Sequence, residues 1–140
     1  MNRHAYRQPR FLALVFVGGA CGALARWGLL EAMSDEFAAI ASANLLGSLL
    51  LGLLLGVLTA IGPDDGPRRV IRLAVGTGFL GAFTTYSTFS GQAVELWFQE
   101  GTQLWALYAF GSVIGGLLLA AIGLGVGSLI GRGARERQRA

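Results

Sequence analysis

Residues 78–90 read GFLGAFTTYSTFS. The stretch holds two glycines, five Ser or Thr hydroxyls, three phenylalanines and one tyrosine. It lies inside a run, Leu73 to Val94, that carries no Asp, Glu, Lys or Arg. A helix surrounded by lipid has no evident use for so many consecutive hydroxyls. Gly76, Gly78 and Gly81 followed by TTYST is also poor helix material. Glycine and β-branched Thr weaken a helix, and Ser and Thr side chains offer other partners to freed backbone groups. A broken helix within a membrane is tolerated where it lines a cavity or binds an ion. The stretch therefore predicts a third membrane segment that is interrupted near the midplane.

The rest of the chain fits a membrane setting. It has 140 residues, 54% of them hydrophobic and only 14% charged, whereas a soluble domain carries roughly 25% charged residues. Such a surface cannot cover a water-soluble core. Phe11 to Leu30 is broken only by Arg26, and Phe37 to Gly62 and Gly101 to Gly131 carry no charge. A spanning helix needs about 20 apolar residues. The expectation is one all-α membrane domain over 1–140, with spans at 11–32, 37–62, 72–94 and 102–130 and a basic tail at 131–140. A second reading of the N-terminus is a cleaved signal, because ALA at 23–25 follows three arginines and an apolar run. The remaining spans would still be membrane helices. Cys21 is the one cysteine; it excludes an intramolecular disulfide and reads as a small packing residue.

The arginines are one-sided. Arg3, Arg7 and Arg10 precede the first span, Arg68, Arg69 and Arg72 occupy the central loop, and Arg132, Arg135, Arg137 and Arg139 follow the last span. The opposite loops carry Glu31, Asp35, Glu36, Glu95 and Glu100. The positive-inside rule puts both termini in the cytoplasm. Arginines flanking membrane helices meet anionic headgroups, so no nucleic-acid partner is expected from the net charge of +3. Arg26 is the exception, in the outer third of the first span. Either it faces protein or water and has a role, or the helix ends there and its head snorkels to the interface.

Small residues fill the spans. Gly52 and Gly56 form a GxxxG, and the last span holds Gly111, Gly115, Gly116, Gly123 and Gly127. Such faces let helices approach closely, and several are expected to serve a dimer contact. The polar groups at depth are neutral: Asn44 in the second span, the hydroxyls of the third, and Tyr108 and Ser112 one turn apart in the fourth. No acid or histidine lies mid-span, and no nucleophile is paired with a base, so an enzyme is not expected. Neutral donors along a narrow path suit an anion that must shed water without being trapped, and aromatic ring edges carry partial positive charge. The three- to four-residue spacing of Phe79, Phe83, Tyr86 and Phe89 is equally that of packing residues.

Three motifs in order, GGACGALARW, NLLGSLLLG and GTGFLGAFTTYSTFS, resemble the Fluc family of fluoride channels, also called CrcB. The resemblance covers nearly the whole chain. It implies a passive, fluoride-selective channel in the bacterial cytoplasmic (inner) membrane that lets cytoplasmic fluoride escape and so confers fluoride resistance. It implies an antiparallel dimer of four-helix subunits with two pores. Carried over by motif, Tyr86 and Phe89 would present ring edges to fluoride, with Ser87 and Thr88 in the hydroxyl track beside them. Asn44 would donate to fluoride near the rings, and Tyr108 and Ser112 would extend the track. Arg26 matches the arginine that ends the first motif. The broken helix implies a structural sodium ion at the dimer centre, held by the carbonyls of Gly81 and Thr84 from both subunits.

The chain departs from the family pattern in places. Tyr86 stands where phenylalanine is usual, Ala39 and Ile40 where Gly-Thr is frequent, and Gln92 where many members have glutamate. The arginine asymmetry is a further departure, because a homodimer with one inverted subunit needs a chain that inserts both ways. It raises the alternative of a fixed-orientation subunit that conducts only with an oppositely oriented homologous partner, for which the Ala39–Ile40 departure would be a sign of lost pore residues. Two other classes compete. A small multidrug-type exporter needs a carboxylate in its first span, and none is present. A non-transporting scaffold would use the GxxxG faces and leave the hydroxyl track idle.

Overall fold

The computed structural model describes residues 8–99 and 102–137, and all regular structure among them is helical. Helix α1 spans Pro9–Ala32 and α2 spans Glu36–Ile61. Pro9 opens α1, where its missing N–H leaves no bond unmade. Asp35 caps α2, its Oδ1 accepting from the amides of Phe37 and Ala38 at 2.9 and 3.2 Å. The capped carboxylate also meets the positive end of the helix. A short loop leads to α3, Gly66–Ile71, which runs into a π-helical segment, Arg72–Leu80, and one last turn, α4, Gly81–Phe83. Helix α5, Ser87–Gln99, follows the break, and α6, Thr102–Arg137, closes the chain.

Among the described residues three helices are long and apolar enough to cross a membrane: α1, α2 and α6. The expected third span takes another form. Its two halves, 66–83 and 87–99, are separated by Thr84, Thr85 and Tyr86, and Thr84 is extended at φ −77°, ψ 159°. The π-helical segment within the first half was not legible in the sequence. The amide of Gly81 reaches the Gly76 carbonyl five residues back. Helix α6 continues into the expected basic tail at 131–140, as far as Arg137. Arg135 and Arg137 stand in its last turn, where cations suit the helix's negative end. Arg3 and Arg7 in the expected tail, the acidic Glu100 and the last three residues lie outside the described residues.

The helices pack as two pairs. Helix α6 lies along α2, and α1 lies along the π segment. Both contacts are backbone to backbone. A Cβ on Gly52 would overlap the Ala120 carbonyl, and one on Gly123 would overlap the Leu49 carbonyl. A Cβ on Gly22 would overlap the Phe79 carbonyl. The small-residue faces expected to serve a dimer are thus spent inside the chain at Gly22, Gly52, Gly56, Gly123 and Gly127. Without a hydrophobic drive between helices in lipid, close backbone approach and dispersion do the holding. Gly28, Gly111 and Gly125 meet nothing and face outward. Cys21 is exposed rather than packed.

Candidate functional site

The site is built around the break. Asn44 on α2 bridges it with two hydrogen bonds to one residue. Its Nδ2 donates to the Thr85 carbonyl at 3.0 Å, and its Oδ1 accepts from the Thr85 amide at 2.8 Å. The amide donor of Thr85 fixes which end of the side chain is oxygen. An asparagine so placed substitutes for a missing turn of backbone, which is what an interrupted helix away from water requires. The second Nδ2–H of Asn44 is left over.

Two carbonyls lose their helical partners there. In a continuous α-helix the Thr85 amide would close onto the Gly81 carbonyl; here it goes to Asn44. The Thr88 amide would close onto the Thr84 carbonyl; here it goes to Thr85 Oγ1 at 3.3 Å. The same Thr85 hydroxyl lies 3.2 Å from Ser87 Oγ and 3.3 Å from Thr88 Oγ1. Arg26 supplies the Thr84 carbonyl with a replacement donor, Nη1 at 3.0 Å. Of the two readings of Arg26, the inward one holds: its guanidinium is half-buried against the break. The Gly81 carbonyl and the second lone pair of the Thr84 carbonyl are neutral, hard oxygen donors of the kind a small hard cation accepts.

A cavity of about 310 Å³ opens beside the break. Asn44 and Ser48 line it from α2, Gly81, Thr84 and Tyr86 from the break, Phe89 from α5 and Ser112 from α6. Six of the expected site positions, Asn44, Gly81, Thr84, Tyr86, Phe89 and Ser112, thus meet there. Ser87 and Thr88 are exposed at the start of α5, just outside the cavity wall. Tyr108 stands one turn before Ser112, with its ring 5.3 Å from that of Phe89 and edge-on to Phe37 at 5.8 Å. Phe89 also lies 6.2 Å from Tyr86. The rings therefore form one chain, Tyr86–Phe89–Tyr108, whereas Phe79 stacks on Phe83 away from it at 5.9 Å. Packing explains that second pair.

Two residues outside the expected site belong to it. Thr85 carries both bridges to Asn44 and caps α5. Gln92, only 6% exposed, accepts the Tyr108 hydroxyl through Oε1 and so fixes the ring that touches Phe89. Its place was marked in the sequence only as a departure. Ala39 and Ile40, the other departures, have 0% exposure and do not line the cavity. They fill the core of α2. Tyr86 is 81% exposed, with its ring standing outside the chain's own packing.

Relatives give the arrangement a family. The family model described as "CrcB-like protein, Camphor Resistance (CrcB)" matches residues 13–124, a range that includes the break and every cavity residue. The chain belongs to the CrcB, or Fluc, family. It is 40% identical over 119 residues to fluoride-specific ion channel FluC 1 of Cutibacterium acnes, covering 81% of this chain and 82% of that one. It is 42% identical to FluC 2 of Bacillus subtilis, covering 92% of this chain and 95% of that one. It is 44% identical to FluC of Bordetella avium, covering 89% and 98%. The CrcB chain is thus a multi-pass membrane protein of an ion-channel family and not an enzyme.

Proposed function

We propose that this chain is a fluoride-specific channel subunit through which cytoplasmic fluoride leaves the cell passively, giving fluoride resistance. The observation that carries the reading is the cavity at the break, where a neutral amide, hydroxyls and two aromatic edges converge without a fixed charge on its wall. Neutral donors replace part of a fluoride ion's water shell and still release it. The leftover Nδ2–H of Asn44, the edges of Tyr86 and Phe89, and the Ser112 hydroxyl form the path, with Ser87 and Thr88 beside its start; Tyr108, whose proton goes to Gln92, extends it through its ring against Phe89. The N-terminal end of α5 faces the break and adds its positive dipole. Asn44, Thr85 and Arg26 hold this backbone open.

The two half-helices act together as a fourth span, and an oppositely oriented second subunit covers the exposed Tyr86. The Gly81 and Thr84 carbonyls of both subunits would hold a sodium ion there. Bound there, sodium supplies a fixed positive charge that ties the two breaks together. Arg26 keeps the Thr84 carbonyl pointed for that role.

Efflux of fluoride from liposomes holding the purified chain, read with a fluoride electrode, tests this. Rapid fluoride release with chloride retained is expected, and no release from folded protein would defeat the single-chain reading. A second reading rests on the ten arginines at one end of the four-span scheme: a fixed-orientation subunit working beside an inverted homologue in the inner membrane. Labelling tags on both termini in intact cells distinguishes them. One orientation only favours the partnered channel, and a mixture favours the homodimer.

A further inference from the structure

The cavity at the break accounts for one opening in the chain, and the groove between α1 and the π segment is unused by fluoride. That groove has a volume of about 830 Å³ and is apolar throughout: Leu12, Val15 and Phe16 on one side, Leu73 and Thr77 on the other. Phe11 lines it and also lines a second cavity, about 230 Å³, directly towards the arginine-rich end. There Arg10 and Arg69 join Leu14, Gly66 and Val70 in the walls. The two spaces thus share a wall and change from apolar to basic along the axis of α1.

The charge at the mouth is not neutralised from within. Arg72 takes Asp64 with both guanidinium nitrogens, at 2.9 and 2.8 Å. Arg69 donates through Nη2 to the Asp64 backbone carbonyl and holds the Asp64 carboxylate only at 3.6 Å, from Nε to Oδ2. Arg68 takes Asp65 at 2.6 Å. Arg10 has no carboxylate partner among the described residues; its guanidinium lies 4.6 Å over the Phe11 ring and donates to Gln8 at 3.2 Å. At this mouth and its loop, Arg10, Arg68, Arg69 and Arg72 stand against Asp64 and Asp65. In the orientation that the positive-inside rule favours, this end meets the cytoplasmic leaflet, which carries the anionic lipids.

We infer that the Arg10–Arg69 mouth and the α1–π groove form a binding site for one anionic phospholipid. The phosphate sits between the two guanidinium groups, which present forked donors to it. One acyl chain runs down past Phe11 along Leu12, Phe16 and Leu73. A free phosphate would use the mouth and leave the apolar groove empty. A zwitterionic lipid would fill the groove but bring a choline cation to the arginines. The Thr77 end of the groove lies on the rod that carries the break, so a resident lipid steadies that rod against α1.

The test is native mass spectrometry of the purified full chain, given equal amounts of phosphatidylglycerol and phosphatidylcholine with identical acyl chains. Phosphatidylglycerol should be retained at least about tenfold over phosphatidylcholine. Arg10→Gln with Arg69→Gln should remove the preference. Ala13→Phe, which fills the groove from an exposed position without touching charge, should lower phosphatidylglycerol retention by a similar factor. Should the double variant fail to fold, Arg10→Gln alone should lower the preference about threefold. Equal retention of the two lipids would overturn the site, as would full retention by the arginine variants. Displacement by glycerol phosphate at equal concentration would make it a phosphate site instead. A change of oligomeric state in Ala13→Phe would assign the groove to a second copy of the chain.

Discussion

Asn44 and Thr85, 41 residues apart in the chain, exchange two hydrogen bonds across the space between α2 and the interrupted helix. The exchange satisfies both backbone groups of Thr85 and, by taking its amide, frees the Gly81 carbonyl. One side chain thus stabilises the break and creates its chemistry.

Replacing Asn44 tests that double role. Asn44→Ala leaves a half-buried amide and carbonyl without partners, at a cost of about 1–3 kcal/mol. Asn44→Asp keeps an acceptor for the Thr85 amide, loses the donor to its carbonyl, and adds negative charge to the cavity. Both should lose fluoride efflux, and thermal unfolding in detergent should fall in both. Efflux at the parent level in Asn44→Asp would show that the leftover amide hydrogen is not on the path.

Arg26 and Thr84 form the second bridge, a charge-assisted bond worth about 1.5–3 kcal/mol where water is excluded. Arg26→Gln keeps a donor without the charge and should cost less than Arg26→Ala. The ordering of the two unfolding temperatures checks it. Equal temperatures for both variants and the parent would mean that the guanidinium spends its time in the interface.

Phe89 touches both Tyr86 and Tyr108. Phe89→Ala should abolish fluoride efflux while leaving the chain folded, because the ring is only half-buried and its neighbours are partly exposed. A scaffold without transport would be indifferent to the change. Tyr86→Phe, which keeps the ring edge and drops the hydroxyl, should leave efflux close to the parent rate.

Helix pairing through glycine is separable from the site. Gly52→Ala drives a methyl into the Ala120 carbonyl and should destabilise by about 1–3 kcal/mol. Gly125→Ala meets nothing and should be neutral or stabilise by up to about 1 kcal/mol through helix propensity. Unfolding curves of the pair, recorded in one detergent, give the difference.

Asp64 holds the loop between α2 and α3. The Arg72 side chain that donates to it, with the charges of Arg72 and Arg69, lowers its pKa below the ordinary 3.8 and outweighs the opposing effect of burial. The folded chain therefore binds fewer protons here than the unfolded chain. The stabilisation is fully present above the unfolded pKa and is lost as pH falls through the lowered folded value. The unfolding temperatures of the parent and Asp64→Asn should differ by a constant amount from pH 7 to about 5. They should converge below about pH 4.

Much was legible along the chain because the physics of a membrane is one-dimensional. Lipid demands a length of apolar sequence, and charge tolerates only the ends, so the helices α1, α2 and α6 follow from counting. The interrupted segment was legible too, because glycines followed by TTYST disfavour a continuous helix. Asn44, Tyr86, Phe89 and Ser112 could be named by motif. That they line one cavity could not, since it depends on how α2, α5 and α6 are turned about their own axes.

Other features depend on contacts between residues far apart in sequence. A glycine spacing marks a face for close approach but not the partner, and the fold uses Gly22, Gly52 and Gly123 within the chain. Arg26 reads alike as a snorkelling or an inward arginine until the Thr84 carbonyl is found beside it. Gln92 looked like a lost charge and is the acceptor for Tyr108. The sequence by itself determined a membrane-spanning, helical chain with a weak point at residues 84–86, because burial in lipid and backbone propensity act locally. Only the tertiary structure decided what surrounds that weak point, because the partners of a freed carbonyl, a bridging amide and a ring come from residues far away in the chain.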